Sequence, residues 1–244
     1  MLRAVVFDVD FTLALPGPEL GPEGYRAVGE RHGLDLDPAR YEDARTAAFE
    51  TIERHPELDH DEEIWVLFTQ RIIEGMRRRL DGGAQGAEAP AAPALEREMG
   101  GRGDTYAAAV ELTRAWDHAH HFELYEDALP TLAELRKRGY LLGLLSNTAR
   151  DLAAFVVHHG IDVDAVLTSG AHGKTKPHET IFRRMLGLLG TEPGETLMVG
   201  DALEDDIEGA RAVGMQAVLL DRSDRYPDIS GRIRTLSELL QSLS

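Results

Sequence analysis

The stretch that most constrains the fold is an apolar run near the N-terminus that stops at an acidic residue. Residues 5–13 read VVFDVDFTL, so a short hydrophobic segment is followed by Asp8, Asp10 and Thr12. A continuous apolar run bounded by polar residues is typical of a strand buried on both faces of a parallel sheet. Ligands of such sheets bind beyond the carboxyl ends of the strands. Asp8 and Asp10 are therefore expected where chemistry takes place.

The second half of the chain alternates between amphipathic segments and short apolar runs. Strands are predicted over residues 140–145, 165–167, 196–199 and 216–220. Helices are predicted over residues 127–138, 149–159, 179–189 and 204–213. This alternation favours right-handed crossovers and a parallel sheet covered on both faces. The predicted fold class is α/β, with a doubly wound, Rossmann-like parallel-sheet core.

A helical segment separates the first predicted strand from the others. Residues 13–22 are crowded with Pro and Gly and are predicted to form a linker or flap. Amphipathic patterns predict helices from residue 23 onwards and at about 38–54, 61–80 and 105–119. Residues 81–104 are rich in Gly, Ala and Pro and are expected to be flexible. We therefore predict a core at 1–14 and 123–244, with a helical insertion at 15–122.

Composition excludes several classes of function. The 244 residues carry a net charge of -17, which disfavours binding to nucleic acid or to an anionic membrane. The chain has no cysteine, so disulfides, thiolate catalysis and cysteine-based zinc sites are excluded. The apolar run at the N-terminus is too short for a signal peptide, and no later run is long enough to span a membrane. A cytoplasmic protein is expected.

The acidic motif of the first strand is shared with a known family. Residues 8–12 match the DxDxT signature, and the chain resembles a phosphatase of the haloacid dehalogenase-like (HAD) superfamily. The resemblance implies that the helical insertion is a C1-type cap. It also implies that Asp8 attacks phosphorus to give an aspartyl-phosphate. Asp10 would protonate the leaving group and then activate water.

Three later motifs of that family follow in order. The resemblance assigns phosphate binding to Ser146 and Asn147, at the end of a predicted strand, and to Thr12 of the first motif. Lys176 fits the third motif, whose lysine neutralises the nucleophile and the phosphoryl group. We prefer Lys176 to the nearby Lys174 because the residues that follow it match Lys-Pro-x-x-x-Ile-Phe.

The fourth motif implies a metal site. Asp201 would bind Mg²⁺ directly and Asp206 less directly, with Asp8 and the backbone carbonyl of Asp10 as further ligands. Two positions depart from the family pattern, because Phe11 and Ala202 stand where Gly and Ser are frequent. Neither position supplies a reacting group, so a changed pocket shape with intact chemistry is expected.

Simpler interpretations exist for each of these residues. Ser and Asn after a strand often cap a helix, most lysines are solvated, and acids at a helix N-terminus interact with its dipole. Two other clusters are interpreted as structural or solvated rather than functional: His118, His120 and His121 in one, and residues 77–79, all arginine, in the other.

The leading hypothesis is therefore a Mg²⁺-dependent phosphatase that acts on a small phosphorylated metabolite. A phosphomutase would use the same aspartyl-phosphate and remains an alternative. Haloacid dehalogenation is less favoured, because that branch lacks the second acid that Asp10 supplies. A phospho-signalling or binding module is the alternative outside enzymes. The sequence does not specify the substrate or the oligomeric state.

Overall fold

The structure is a computed structural model, and it describes residues 1–51, 57–77 and 94–243. The chain forms two compact units. The sheet unit consists of Met1–Pro16, His55–His60 and Asp117–Ser244. The helical unit consists of Gly17–Arg54 and Asp61–Trp116. The core predicted at 1–14 and 123–244 and the helical cap predicted at 15–122 stay predictions.

In the described part of the chain, the sheet unit is built on five parallel strands and one short antiparallel ribbon. The strands, in chain order, are β1 Ala4–Phe7, β2 Ala14–Pro16, β3 Phe122–Leu124, β4 Leu141–Ser146, β5 Ala165–Thr168, β6 Thr196–Gly200 and β7 Gln216–Leu219. The sheet has the order β5-β4-β1-β6-β7, with every neighbouring pair parallel. The first strand of the chain is therefore the central one.

The described helices are α1 Pro22–Arg31, α2 Tyr41–Glu50, α3 Glu62–Met76, α4 Ala94–Ala115, α5 Ala128–Lys137, α6 Leu152–His159, α7 Ser169–His172, α8 Glu179–Leu189, α9 Gly209–Ala212 and α10 Leu236–Ser242. A π-helical segment, Leu203–Glu208, precedes α9. Helices α5 to α10 belong to the sheet unit and α1 to α4 to the helical unit. Helices flank the parallel sheet, which confirms the predicted α/β fold class.

The core of the sheet unit explains why β1 lies at the centre. All four residues of β1 are fully buried, and Val6 pairs in register with Gly143 of β4 and Met198 of β6. Side chains alternate between the faces of a strand, and Val6 and Met198 share one cluster with Phe182 and Met185 of α8. A strand buried on both faces needs an uninterrupted apolar sequence.

The helical unit has a separate core. Its buried side chains come from all four helices and the connections between them, and they include Tyr25, Leu36, Ile72, Met76 and Leu112. Tyr25 and Tyr41 contact each other edge to face, with ring centroids 5.1 Å apart. The helices predicted at 38–54 and 61–80 correspond to α2 and α3, which are shorter at both ends.

Three predictions made from the sequence were wrong in detail. The predicted linker at 13–22 contains β2, which pairs with β3, because a three-residue strand is too short to show an alternating pattern. The helix predicted to begin at residue 105 begins at Ala94, inside the segment expected to be flexible. Residues 94–99 read ALEREM, and these residue types favour helix. Residues 81–93 lie outside the described residues.

The third error concerns the segment after β6. A regular helix was predicted over residues 204–213, whereas the chain forms a π-helical turn and then the short α9. Single π-helical turns are frequent at functional sites. This turn carries Asp206, whose side chain is fully buried. Among the described residues, no helix has the length and apolar character needed to cross a membrane.

The packing of α8 on the sheet gives a test of the fold. We expect Phe182→Ala to lower the free energy of unfolding by about 3–5 kcal/mol, because the side chain is fully buried and its loss leaves a cavity. Leu188 lies on the same helix and is 41% exposed. The matched variant Leu188→Ala should cost less than about 1 kcal/mol. Urea unfolding of both variants measures the difference, and equal losses would contradict this packing.

Candidate active site

Lys176 lies at the centre of the candidate site, at the carboxyl edge of the sheet. Its ammonium group donates to Asp8 Oδ1 at 2.7 Å, to Asp206 Oδ1 at 2.5 Å and to the Leu145 carbonyl at 3.1 Å. The residue is 3% exposed. An ammonium group has three N–H donors, so each one has an acceptor. The buried charge is compensated by two carboxylates, as a buried cation requires.

Asn147 fixes the backbone of the loop that carries this lysine. Its side chain accepts from the Lys176 N–H at 2.7 Å and donates to the Lys176 carbonyl at 3.1 Å. Both polar groups of the amide are thus used within the protein. Asn147 therefore holds the Lys176 backbone in place, and its predicted phosphate contact stays a prediction.

A distant segment of the chain supports the same loop. Residues 57–60 belong to the sheet unit although helical-unit residues flank them in the sequence. The Leu58 carbonyl accepts from the Thr175 N–H at 2.8 Å, and the His60 N–H donates to the Gly173 carbonyl at 3.0 Å. The His60 Nδ1 atom lies 2.8 Å from Ser169 Oγ. Sequence reasoning missed this support, because residues more than 100 positions apart carry no local signal of contact.

Three carboxylates converge beside Lys176. Asp8, Asp201 and Asp206 each offer an oxygen, and these oxygens lie within 4.8 Å of one another. Asp8 follows β1 and Asp201 follows β6, and the two strands pair directly up to Phe7 and Val199. Parallel pairing therefore places Asp8 and Asp201, the residues that follow these two strands, next to each other.

Asp206 reaches this group because Gly200 leaves room for it. A Cβ atom added at Gly200 would lie 2.1 Å from Asp206 Oδ2, far inside van der Waals contact. The same oxygen accepts from the Ala202 N–H at 3.1 Å. Both oxygens of Asp206 therefore have donors within the protein, Lys176 for one and Ala202 for the other. This arrangement gives Asp206 a part in holding Lys176.

The electrostatics of the group show an excess of buried negative charge. Burial, together with Asp206 and Asp201, raises the pKa of Asp8 well above its usual value, although Lys176 acts in the opposite direction. Burial and Asp206 raise the pKa of Asp201 to about 6, with Arg225 opposing them. A carboxyl group with a raised pKa binds its proton more tightly in the folded state. These two acids therefore lower the free energy of unfolding as the pH rises from the unfolded pKa towards the folded one.

For the pKa of Lys176, the neighbouring charges outweigh the effect of burial. Burial alone would lower the pKa of its ammonium group, but Asp206 and Asp8 outweigh that effect and raise the pKa. The lysine therefore keeps its charge throughout the neutral range. Asp201 has a cationic partner of its own, because Arg225 donates to its Oδ2 at 2.6 Å and to its carbonyl at 3.1 Å.

Asp10 lies apart from the three converging acids. Its carboxylate contacts the guanidinium of Arg150, and both of its oxygens lie within 2.9 Å of Nη2. Arg150 is 1% exposed. Sequence reasoning missed this arginine, which stands four residues after Ser146. The one available signal was an arginine in a short segment between an apolar strand and its helix.

Ser146 and Thr12, the other two residues predicted to bind phosphate, are both buried. Ser146 is buried at the last position of β4, in register with Thr168. Thr12 is fully buried, and its hydroxyl has no hydrogen-bond partner among the described residues. Phe11 has a φ of 64°, a left-handed conformation that favours glycine, the residue type that the resemblance leads one to expect at this position.

The two clusters interpreted as structural have contacts of their own. The rings of His118, His120 and His121 have centroids 4.3 to 5.5 Å apart. Among the described residues, however, their nitrogens do not converge as the oxygens of the three acids do. Arg77 belongs to the helical unit, and its carbonyl accepts from Arg40 at 2.5 Å. Residues 78 and 79 lie outside the described residues.

The buried lysine gives a stability test. We expect Lys176→Met to lower the free energy of unfolding by about 3–5 kcal/mol near neutral pH in the presence of a chelator, because two buried carboxylates lose their cation. Without that cation the pKa of Asp8 rises further, so the loss should shrink as the pH falls towards about 5. Urea unfolding at the two pH values measures both effects.

Lys137 supplies the matched control. Its side chain is 80% exposed and lies 3.6 Å from Glu134. Lys137→Met should change the free energy of unfolding by no more than about 0.5 kcal/mol. If Lys176→Met were as mild as this control, the buried ion pairs would not have the importance that we assign to them.

Known proteins resemble this chain in sequence and in fold. A family model described as haloacid dehalogenase-like hydrolase matches residues 2–214. Ribulose-1,5-bisphosphate 5-phosphatase of Halopiger xanaduensis is 30% identical over 247 residues, and the match covers 98% of this chain and 92% of that protein. The crystal structure of a HAD phosphatase from Thermococcus onnurineus has a TM-score of 0.63 at 28% identity, and it covers 100% of this chain and 98% of its own.

A third relative matches only part of the chain. Phosphoserine phosphatase of Thermus thermophilus is 41% identical over 113 residues, which is 44% of each chain. The chain thus matches less than half the length of that protein. The family model and the ribulose-bisphosphate phosphatase, by contrast, extend over most of the sequence. The chain therefore belongs to the haloacid dehalogenase-like hydrolases, as its ordered motifs predicted.

Proposed function

We propose that this protein is a Mg²⁺-dependent phosphatase that hydrolyses a small phosphorylated metabolite through an aspartyl-phosphate on Asp8. One observation carries the proposal: the Asp8 carboxylate accepts a hydrogen bond from a buried lysine and belongs to a group of three converging acids. A nucleophilic carboxylate, a fixed cation and an oxygen-rich metal site are the parts that phosphoryl transfer to an aspartate requires.

The three acids fit a magnesium ion. Their donors are all carboxylate oxygens, which hard cations prefer. Burial and the neighbouring acids raise the pKa values of Asp8 and Asp201 although Lys176 and Arg225 lie nearby, so a further cation would stabilise both carboxylates in their charged form. Asp8 and Asp201 would hold the ion directly, and Asp206 would contribute from its place beside Lys176. When bound, the ion supplies Lewis-acid stabilisation of the charge on the phosphate oxygens.

The protein's own groups account for the proton transfers. An Asp8 oxygen forms a bond to phosphorus while the bond to the leaving oxygen breaks, and Asp10 gives its proton to that oxygen. A water molecule then attacks the phosphorus of the aspartyl-phosphate, and Asp10 takes up the proton that the water releases. Lys176 stays charged and offsets the repulsion between Asp8 and the phosphate. Inorganic phosphate and the regenerated Asp8 carboxylate are the products.

The names of the relatives support a small phosphorylated substrate. One relative is named for ribulose-1,5-bisphosphate and another for phosphoserine, both small phosphate monoesters. The helical unit is proposed as the cap that selects the leaving group, and its assignment to the C1 type stays a prediction. The cytoplasmic location also stays a prediction.

The alternatives from the sequence are weaker but distinct. A phosphomutase would return the phosphoryl group to a sugar, so analysis of the products formed from a phosphosugar separates transfer from hydrolysis. Haloacid dehalogenation is disfavoured because Asp10 is present and is held by a buried arginine. A phospho-signalling module would accumulate a stable acyl-phosphate without turnover.

The nucleophile assignment predicts the outcome of a substrate screen. Wild-type protein should release phosphate from an aryl phosphate and from members of a panel of phosphorylated metabolites, and only with Mg²⁺ present. Asp8→Asn should lower kcat/KM by at least about a thousandfold, because the attacking oxygen is removed. Asp151 caps α6 by accepting from Ala153 and Ala154 N–H groups, a role that Asn also fills. The control Asp151→Asn should retain activity; equal rates for wild type and Asp8→Asn would end the proposal.

The raised pKa of Asp201 predicts how magnesium binding depends on pH. Protons compete with the ion for this carboxylate, whose pKa is about 6 without metal. We therefore expect the apparent Mg²⁺ affinity to fall by at least about tenfold for each pH unit below that value. Calorimetric titration of metal-free protein measures this affinity directly. Asp201→Asn should bind Mg²⁺ more weakly and show a smaller pH dependence, with Asp8 as the remaining ligand whose pKa is raised, whereas an affinity that is constant with pH would contradict this site.

A further inference from the structure

Arg150 is the direct partner of the carboxylate to which the proposed reaction assigns proton transfer. Its Nη2 lies 2.8 Å from Asp10 Oδ1 and 2.9 Å from Oδ2. The Arg150 side chain is fully buried, whereas that of Asp10 is 19% exposed. A carboxylate oxygen has two lone-pair sites, so this contact leaves each Asp10 oxygen an outer site for a proton.

Packing fixes the position of the guanidinium independently of Asp10. The Arg150 Cζ atom lies 3.6 Å from the centroid of the Phe122 ring and 5.4 Å from that of Phe155. Phe122 begins β3 and Phe155 lies in α6, so two different elements hold the arginine. The backbone N–H of Arg150 donates to Thr148 Oγ1 at 3.1 Å, so the main chain that carries the arginine is held as well. A planar guanidinium stacks on aromatic rings in a way that an ammonium group does not.

The conformation of the chain around Asp10 makes such a partner useful. Asp10 precedes Phe11, which has a left-handed conformation, and it lies three positions beyond the end of β1, whereas Asp8 follows that strand directly. Proton transfer requires the acid to lie within hydrogen-bond reach of the reacting oxygen in a defined direction. A buried, stacked arginine restricts the carboxylate to one orientation. Strand geometry alone does not do so at this position.

We propose that Arg150 is a positioning residue that orients Asp10 for proton transfer. The inference rests on the proposed function, in which Asp10 is the general acid and base. Arg150 itself touches neither the substrate nor the metal in this account. Its effect on the rate should therefore pass through Asp10 alone.

Substrates with different leaving groups test this role. Phenyl phosphate releases a strongly basic oxygen that needs the acid, whereas para-nitrophenyl phosphate releases a weakly basic one that scarcely needs it. We expect Arg150→Met to lower kcat/KM for phenyl phosphate by roughly 10- to 100-fold and for para-nitrophenyl phosphate by no more than about 3-fold. Asp10→Asn should show the same selectivity with a larger loss.

Two further variants separate positioning from a general loss of structure. In the double variant of Arg150→Met and Asp10→Asn, the arginine substitution should add less than about 3-fold to the loss caused by Asp10→Asn alone. Arg136 forms a comparable pair, 2.7 Å from Asp164, on a carboxylate that also accepts from the Leu142 N–H near the start of β4. Arg136→Met should leave the ratio of kcat/KM for phenyl phosphate to that for para-nitrophenyl phosphate unchanged.

The outcomes distinguish the two proposals. If Asp10→Asn had no effect with either substrate, the proposed acid and base role would fail. If Asp10→Asn were selective but Arg150→Met lowered both rates equally, or lowered neither, the positioning role would be wrong. Thermal unfolding verifies that each variant is folded. Should Arg150→Met not fold, Arg150→Lys decides instead: it keeps the charge but loses the stacked plane, and it should show the same selectivity to a smaller degree.

Discussion

The charge on Lys176 is the interaction on which the candidate site depends. Its ammonium group is buried with two carboxylates and one backbone carbonyl as its acceptors. Removing such a cation from water is costly unless anions compensate it, and the acids are equally costly without the cation. The lysine and the acids therefore hold each other in place, and the excess negative charge that remains is suited to a divalent ion.

The fold brings these charges together through simple geometry. Parallel strands deliver the residues that follow them to one edge of the sheet, so Asp8 and Asp201 become neighbours although 193 positions separate them in the sequence. Gly200 leaves the space that the Asp206 carboxylate occupies, and the π-helical turn presents that residue to it. Asn147, which directly follows β4, holds the loop in place by hydrogen bonds to the backbone of Lys176.

The sequence predicted the parallel sheet and the acids at its edge because both depend on local pattern. Apolar runs that stop at polar residues mark buried strands and their ends, so the proximity of Asp8 and Asp201 follows from strand pairing, whereas Lys176 lies in the loop between α7 and α8. The contacts of Arg150 and of residues 57–60 depend on tertiary packing between distant segments, and no local pattern signals them. The start of α4 was missed for a different reason, since composition was weighed over residues 81–104 as a whole.

The central claim is that one divalent ion and one phosphoryl group share the acids around Lys176. Crystals grown with Mn²⁺ and beryllium fluoride test it most directly, because manganese binds the same oxygen ligands as magnesium and can be located by its anomalous scattering. The account predicts an anomalous peak coordinated by Asp8 and Asp201, with beryllium fluoride on the Asp8 carboxylate. Manganese or fluoride bound elsewhere, with neither beside Asp8, would contradict it.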